Sequence, residues 1–235
     1  MVYVTSDLHG FPLVRIRALL DKVEFSDEDF LFVLGDVIDR GEQGIEILKW
    51  LLYQPNAQLI LGNHEAMMLA CSFLFEEITD QSIAAFDQEK MALLTRWQKN
   101  GAEPTMHALS RETPEMRADI LEYLREAPLY EAVNVNGRDF LLTHSGLGNY
   151  RADKKLREYT PDELFWTRPH LGKQYSHEFT TVFGHTPTCC YGDPYKGKMI
   201  VTDTWINIDT GVAFGHTPML LRLDDLKPFY MDEIS

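Results

Sequence analysis

The chain has 235 residues, 45% of them hydrophobic, so it is long enough to bury a sizeable core and too apolar to be disordered. Its 36 acidic and 22 basic residues give a formal net charge of −14. A field of this sign repels nucleic acid and anionic membranes, and we therefore expect neither as a partner. It also repels phosphorylated ligands, unless cations bound at a site reverse the charge locally.

The cysteine content and the N-terminal sequence favour the cytoplasm as the location of the protein. The three cysteines, Cys71, Cys189 and Cys190, are odd in number and lack C-x-x-C spacing, so neither a disulfide framework nor a zinc–thiolate site is expected. Residues 1–7 lack the basic start and the long apolar stretch of a signal peptide. No apolar run approaches the roughly 20 residues that span a bilayer.

Short β-branched and aromatic runs alternate with helical patterns in the first third of the chain. Strands are predicted at Val2–Ser6, Phe30–Leu34 and Ala57–Leu61, and helices at Pro12–Lys22 and Gly44–Tyr53. The apolar face of the first helix comprises Leu13, Ile16, Leu19, Leu20 and Val23. This alternation predicts βαβ units, and hence an α/β fold with a mixed sheet.

A helical pattern follows at about residues 65–126, and strands resume after it. The apolar positions of this helical segment are Met68, Leu69, Phe73, Leu74, Met91, Leu94, Trp97, Ile120, Leu121 and Leu124. We expect the segment to cover the sheet, with a cap that shapes the substrate site as the alternative. The later strands are predicted at Asp139–Thr143, Phe179–Phe183, Lys198–Thr202, Trp205–Ile208 and Met219–Leu223. Thr160–Glu163 is typical of a capping box that opens a short helix. Because no linker or repeat interrupts the sequence, residues 1–235 are predicted to form one domain.

Side chains that can bind a metal ion follow five of the predicted strands. They are Asp7 and His9 after the first strand, Asp36 after the second, Asn63 and His64 after the third, and then His144 and His185 after the strands that end at Thr143 and Phe183. Ligands of open α/β sheets bind beyond the carboxyl ends of the strands, so we expect these side chains to converge at one sheet edge. Core packing does not explain oxygen and nitrogen ligands at five strand ends.

Several motifs give this pattern a family resemblance. They are Asp7-Leu8-His9-Gly10, Gly35-Asp36-Val37-Ile38-Asp39-Arg40-Gly41, Gly62-Asn63-His64-Glu65, His144-Ser145-Gly146 and Gly184-His185. In this order they resemble the phosphoprotein phosphatase family of the calcineurin-like metallophosphoesterases. Leu164–Arg168, Gly184–Pro187 and Ile208–Gly211 look like its bacterial serine/threonine-phosphatase branch. The resemblance implies mixed β-sheets in a central sandwich flanked by helices, with a dinuclear metal site at the C-terminal ends of the strands.

The resemblance assigns two divalent metal ions to this site. One would be held by Asp7, His9 and Asp36, and the other by Asp36, Asn63, His144 and His185, so that Asp36 bridges them with its two oxygens. Oxygen and nitrogen ligands without thiolate suit Mn²⁺, with iron or Zn²⁺ as alternatives. Two such ions and a bridging hydroxide leave the site positive, and an acidic chain can then accept a phosphate dianion.

The same resemblance implies roles for the neighbouring residues. The bridging hydroxide would attack the phosphoryl group in line. His64 would donate a proton to the leaving alkoxide, and Asp39 would orient the His64 ring. Arg40, Asn63 and Arg168 would bind phosphate oxygens. The alternatives are a structural ion pair between Asp39 and Arg40, and a plain surface charge at Arg168.

One motif of the family pattern occurs twice in the chain, and one residue departs from the pattern. The sequence Gly-His-Thr-Pro occurs at both 184–187 and 215–218. We expect His185 to be the ligand because a strand precedes it directly, and we expect His216 to be a turn residue. Ser6 stands where the family usually has glycine, which leaves the ligands intact.

Several functions stay open on the sequence alone. The leading interpretation is a phosphomonoesterase acting on phosphoserine or phosphothreonine proteins, or on a small phosphoester. A symmetrical diadenosine tetraphosphate hydrolase is the main alternative; that relative typically lacks an acidic residue at the position of Asp39 and has Asp at that of Glu65. Cyclic-nucleotide phosphodiesterase activity is a weaker option. A non-catalytic metal-binding regulatory protein is the alternative of another class, although Asp39, His64 and Arg40 argue against it. The oligomeric state is not indicated.

Overall fold

The structure is a computed structural model that describes residues 1–76, 79–80 and 85–231. Its strands are β1 (Val2–Thr5), β2 (Phe30–Val33), β3 (Ala57–Leu59), β4 (Tyr130–Val135), β5 (Arg138–Thr143), β6 (Thr180–Phe183), β7 (Ile200–Val201), β8 (Trp205–Asn207), β9 (Met219–Arg222) and β10 (Lys227–Tyr230). They form two mixed five-stranded sheets, in the orders β10-β9-β1-β2-β3 and β4-β5-β6-β8-β7. Strands β1, β2 and β3 are mutually parallel, as are β5, β6 and β8.

The helices of the described residues lie mostly between β1 and β4. They are α1 (Leu13–Lys22), α2 (Gly44–Leu52), α3 (Asn63–Ala70), α4 (Gln88–Lys99), α5 (Glu103–Ser110), α6 (Pro114–Glu126) and α7 (Pro161–Phe165). Short polar side chains start several of them: Asp87 accepts the Lys90 N–H at the start of α4, and Thr160 forms the predicted capping box with Glu163 at α7. None of the helices among the described residues is both long and apolar enough to cross a membrane.

Each sheet is buried on both faces because its side chains alternate between two cores. In β1, Val4 packs between the sheets together with Val182 and Leu221, whereas Tyr3 belongs to the core that faces the helices. The outer face of the second sheet carries a third core that includes Phe183 and Trp205. The expected α/β sandwich flanked by helices is therefore confirmed.

The structure corrects several details of the predicted elements. Strands β4 and β10 were not predicted, because β4 alternates weakly and β10 is a short edge strand with a proline. Pro12 precedes α1 instead of opening it. Met91 is one of the apolar positions of the predicted helical segment but is 51% exposed, whereas Trp97 on the same helix is fully buried. Residues 77–78 and 81–84 of the predicted helical segment lie outside the described residues.

Candidate metal centre

The loops that follow five strands bring the predicted metal ligands of both sheets to one place. Asp7 and His9 follow β1, and Asp36 follows β2; Asn63 is the first residue of α3, just after β3. His144 and His185 follow the neighbouring parallel strands β5 and β6 of the second sheet. All six side chains are at most 5% exposed. The convergence predicted at one edge therefore occurs, and it draws on two sheets instead of one.

The backbone of this site is held in an uncommon conformation. Six of the predicted site residues have positive φ angles: Asp7 (52°), His9 (41°), Asp36 (53°), Asp39 (69°), Arg40 (69°) and His185 (65°). For residues other than glycine the left-handed region costs free energy, and such residues cluster at functional sites. The loops therefore hold a conformation that local preference alone would not select.

Asp36 lies between two groups of possible ligands. Its Oδ1 is 3.4 Å from His144 Nε2, and its Oδ2 is 3.9 Å from His9 Nε2. On the first side, His144 Nε2 is also 2.9 Å from Asn63 Oδ1 and 3.2 Å from His185 Nδ1. On the second side, Asp7 Oδ1 lies 4.0 Å from His9 Nε2. Each carboxylate oxygen of Asp36 thus faces a different ligand group, as a bridging ligand requires.

Backbone contacts turn the possible ligand atoms towards the site. The Nδ1 atoms of His9 and His144 lie 3.1 Å and 2.7 Å from the carbonyl oxygens of Ile38 and Leu34, so Nε2 of each ring faces the site. In His185 it is Nδ1 that faces His144 Nε2, at 3.2 Å, and Nε2 of the same ring is buried without a hydrogen-bond partner among the described residues. Asp7 Oδ2 accepts hydrogen bonds from the Ser6 hydroxyl and from the His185 N–H, which leaves Oδ1 facing the site.

The imidazoles are in the neutral state that metal ligands need, and the buried carboxylates repel one another in a way that a cation would relieve. Burial lowers the pKa of His144 to about 4 and that of His9 well below its usual value, so both rings are neutral at pH 7, as ligands must be. Burial raises the pKa of Asp7 to about 6. Burial, together with the charges of Asp7 and Glu65, also raises the pKa of Asp36. A cluster of buried carboxylates and neutral imidazoles without thiolate fits two divalent metal ions.

Arg40 and Arg168 supply positive charge at the mouth of the site. The guanidinium of Arg40 lies 3.2 Å from His9 Nε2 and 3.3 Å from His64 Nε2. Arg168 donates to the carbonyl oxygen of His185 at 3.2 Å. Both arginines line a pocket of about 320 Å³, as do six other predicted site residues. Those six are Asp7, His9, Asp36, Asn63, His64 and His185.

His64 and Asp39 form a buried pair beside the pocket. His64 Nδ1 is 2.6 Å from Asp39 Oδ2, and His64 Nε2 lies 3.8 Å from Asp36 Oδ2. Burial raises the pKa of Asp39 to about 7, while burial and the charge of Arg40 lower the pKa of His64. The geometry permits the predicted proton-donor role of His64, but it also places this ring among the possible ligands of His9 and Asp36.

Trp97 and Thr105 support Asp39, and the sequence alone predicts neither contact. The indole N–H of Trp97 donates to Asp39 Oδ2 at 2.9 Å, and the Asp39 N–H donates to the Thr105 hydroxyl at 2.9 Å. Helical periodicity identifies Trp97 only as a core residue. Nothing local could indicate a contact between residues 58 positions apart.

Glu65 connects the loops that carry the ligands. Its carboxylate accepts backbone N–H groups of Asp36 (2.9 Å), Val37 (2.8 Å), Ile38 (3.3 Å) and Gly62 (3.1 Å). A Cβ atom on Gly62 would lie 2.5 Å from the Asp36 nitrogen, so this approach requires glycine. Glu65 therefore fixes the position of Asp36 relative to Asn63.

The pocket contains further residues that were not predicted from the sequence to belong to the site. Asp209 is 2% exposed and lines the pocket near Asp7, and burial with the Asp7 charge raises its pKa well above the usual range. Phe214 stands at the rim and is 63% exposed. His216 is absent from both ligand groups found in the described residues, and its N–H closes a turn on the Gly211 carbonyl at 3.2 Å.

Sequence comparison identifies the family. The sequence model described as "Calcineurin-like phosphoesterase" matches residues 1–220. The chain belongs to this family. Its members are metal-dependent phosphoester hydrolases that generally use two divalent metal ions, which agrees with the donor set described above.

The similar proteins of the calcineurin-like phosphoesterase family carry one recurring name. A "Bis(5'-nucleosyl)-tetraphosphatase, symmetrical" of Actinobacillus succinogenes is 36% identical over 298 residues, covering 99% of this chain and 97% of the relative. A protein of the same name from Actinobacillus pleuropneumoniae serotype 3 is 34% identical over 252 residues, covering 97% and 88%. These names match the alternative of the sequence analysis better than the phosphatase branch.

A solved structure shows the same fold. The "Crystal structure of a putative diadenosine tetraphosphatase" superimposes with a TM-score of 0.64 at 18% identity, over 97% of this chain and 91% of the other. At this identity the likeness establishes the calcineurin-like phosphoesterase fold and nothing finer.

Proposed function

We propose that the protein hydrolyses bis(5′-nucleosyl) tetraphosphates symmetrically, releasing two nucleoside diphosphates. The proposal is carried by one observation: the buried ligand cluster, with two arginines at its mouth, occurs in a chain that aligns over almost its whole length with proteins named for this activity. A polyphosphate needs several cationic groups, and an acidic protein must concentrate them at the site.

The ligand groups divide into two candidate metal positions. Asp7, His9 and Asp36 would hold one ion, and Asp36, Asn63, His144 and His185 the other; Mn²⁺ suits these donors, as do iron and Zn²⁺. Bound ions of this kind lower the pKa of a water molecule and polarise phosphoryl oxygens. Arg40 and Arg168 line the same pocket, and a planar guanidinium group can bind two phosphate oxygens.

A phosphomonoester is the second candidate substrate, and the Asp39–His64 pair favours it. An alkoxide, such as the one released from phosphoserine or phosphothreonine, is a strong base and leaves readily only when an acid protonates it. A nucleoside diphosphate is a much weaker base and gains less from such an acid. A fully buried Asp39 held 2.6 Å from the His64 ring is therefore most useful for an alkoxide leaving group.

A substrate comparison tests both candidates. The purified protein with Mn²⁺ is assayed on diadenosine tetraphosphate, a phosphoserine peptide and p-nitrophenyl phosphate, and the nucleotide products are separated by ion-exchange chromatography. We expect ADP as the sole nucleotide product. ATP with AMP would contradict symmetrical cleavage, and turnover of the peptide without the dinucleotide would favour the second candidate.

The controls test the non-catalytic alternative. Asp36→Ala removes the carboxylate that faces both ligand groups and is expected to abolish turnover of all three substrates. Val201→Ala changes an exposed side chain that does not line the pocket and is expected to behave like the wild type. If the wild type turns over none of the substrates while still binding metal, the protein is the non-catalytic regulator instead.

A further inference from the structure

An exposed aromatic ring stands at the rim of the metal pocket. Phe214 is 63% exposed, although its ring is large and apolar. The other exposed large hydrophobic residues of the described chain do not line this pocket. They are Met1, Val14, Tyr53, Phe86, Met91, Leu171 and Val201. An apolar ring kept in water at the mouth of a polar pocket indicates a surface for a ligand.

The exposure of Phe214 is imposed by a closely bonded turn. The 3₁₀ turn Val212–Phe214 lies between Gly211 and Gly215, whose φ angles of 92° and 86° are in the left-handed region. The Phe214 N–H donates to the Gly211 carbonyl at 2.8 Å, and the Gly215 N–H donates to the Val212 carbonyl at 3.0 Å. Below the turn, the Gly211 N–H donates to Asp209 Oδ1 at 2.9 Å. The ring is thus presented on a fixed support.

The pocket changes in character from its floor to its rim. The floor carries the ligand cluster, with Arg40 and Arg168 nearby, and suits phosphate. Apolar and aromatic side chains also line the pocket, among them Trp166, Pro187 and Phe214, and Pro187 lies next to Gly211 at the start of the Phe214 turn. Arg96 lies over the Trp166 ring at 4.6 Å from its centre, so one face of Trp166 is already covered and Phe214 is the more available surface. A ligand that fits both regions has a phosphate tail and a flat apolar head.

We infer that Phe214 is a stacking platform for a nucleobase of the substrate. This inference rests on the proposed dinucleotide substrate and deepens it. Symmetrical cleavage requires the middle of the tetraphosphate to reach the metal pocket, so the protein must hold a nucleoside at a fixed distance from the reacting phosphorus. A ring on a bonded turn provides such a fixed point, and base stacking on an aromatic side chain tolerates any base.

Inhibition by a product and by its base-free analogue tests the platform. ADP and methyl diphosphate carry the same diphosphate, but only ADP carries a base; each is titrated against p-nitrophenyl phosphate hydrolysis at a fixed free Mn²⁺ concentration. We expect Phe214→Ala to raise the inhibition constant of ADP about 5- to 150-fold, the range that base stacking supports. The constant of methyl diphosphate should stay the same, and Phe214→Tyr should keep the tight ADP binding.

A matched control variant and the wild-type assay distinguish a wrong Phe214 platform from a wrong substrate. Tyr53→Ala removes another exposed aromatic ring, 69% exposed and outside the pocket, and should not change either constant. If Phe214→Ala leaves ADP inhibition unchanged while the wild type cleaves diadenosine tetraphosphate, the platform is wrong and the proposed function stands. If the wild type does not cleave the dinucleotide but the ADP constant rises in Phe214→Ala, the proposed substrate is wrong and the platform stands. If neither effect is seen, both are wrong.

Discussion

Asp39 joins two residues that lie far apart in the sequence, the ring of His64 and the indole of Trp97. Its Oδ2 atom contacts both, at 2.6 Å and 2.9 Å, and its Oδ1 atom is buried without a partner among the described residues. A carboxyl group with so few partners is costly to bury, so a functional reason for keeping it there is expected. Orienting His64 is the reason that the contacts support.

Asp39→Asn should reveal whether His64 acts as a proton donor. The amide keeps the shape of the side chain but holds the His64 ring less strongly. General acid catalysis contributes about 10²–10⁴-fold, so kcat for a phosphoserine peptide should fall at least about 100-fold. For p-nitrophenyl phosphate, whose leaving group is a weak base, the loss should be less than about tenfold. Steady-state kinetics on both substrates measure this, and equal losses would contradict the proton-donor role.

Trp97→Phe, like Asp39→Asn, should lower kcat for the phosphoserine peptide more than kcat for p-nitrophenyl phosphate, but by a smaller factor. The change removes the N–H donor to Asp39 and leaves a buried acceptor with one partner fewer, which costs about 1–3 kcal/mol of unfolding free energy. Trp205→Phe is the matched control, because Trp205 is also fully buried and donates to the Lys173 carbonyl at 2.9 Å. Urea unfolding should show a lower unfolding free energy in both variants. Only Trp97→Phe should alter the ratio of kcat values for the peptide and p-nitrophenyl phosphate.

At the scale of elements, the start of α3 sets the position of the loop after β2. Four backbone N–H groups from the two segments point at the Glu65 carboxylate, which is fully buried. Hydrogen bonds to a charged acceptor are stronger than neutral ones, and their loss in a buried place leaves donors unsatisfied. The two loops therefore depend on one side chain for their relative placement.

Glu65→Gln should weaken both the fold and the metal site. The amide replaces one acceptor oxygen with an NH₂ group that faces backbone donors, so the unfolding free energy should fall by about 2–4 kcal/mol. Because Asp36 then loses its fixed position, the affinity for Mn²⁺ should fall as well. Urea unfolding and metal titration measure the two effects. Glu122→Gln, on an exposed face of α6, should change neither the unfolding free energy nor the Mn²⁺ affinity. If Glu65→Gln is stable but binds Mn²⁺ weakly, the positioning role of Glu65 is still supported.

The capping box of α7 predicts a pH dependence of stability. The Lys154 ammonium, the Thr160 N–H and the Asn149 amide lower the pKa of Glu163 from 4.5 to about 2. A pKa lowered by folding stabilises the protein above the unfolded value and loses that effect as the pH falls towards the folded value. The stability difference between wild type and Glu163→Gln should therefore be present at pH 6 and shrink between pH 4.5 and 2. Urea midpoints measured across this range test it, and a difference that grows on acidification would contradict the assignment.

Elements and ligands that are encoded locally could be predicted, and contacts across the fold could not. The strand ends, the Thr160 capping box and the motif residues are visible within a few positions of the sequence. The support of Asp39 by Trp97, and the nearness of Phe214 to the pocket, arise only when helices and loops from distant parts of the chain pack together. Periodicity shows that a side chain is buried, but not which polar atom it meets.

At the scale of the whole molecule, the candidate metal site lies where the two sheets meet. His9 and Asp36 come from the first sheet, whereas His144 and His185 come from the second. A cation held by Asp36, His144 and His185 would add a link between the sheets, and without it the buried carboxylates lie near one another uncompensated. Metal binding should therefore affect the stability of the entire fold as well as the chemistry of the site.

Removal of metal should lower the melting temperature, and Asp36→Asn should almost abolish this response. A ligand at 100 times its Kd adds about 2.7 kcal/mol, which corresponds to a shift of roughly 5–10 °C for a chain of this size. Because folding raises the pKa of Asp36, its charge costs stability at pH 7 when no cation is bound; the metal-free Asn variant should therefore melt above the metal-free wild type. Calorimetry after EDTA dialysis, and again after MnCl₂ is restored, measures the melting temperatures of the wild type and of Asp36→Asn without and with metal. Asp153→Asn, which removes an exposed carboxylate, should melt like the wild type in each condition. If the melting temperature of Asp36→Asn rises with Mn²⁺ as much as that of the wild type, the Asp36 carboxylate does not bridge the ions.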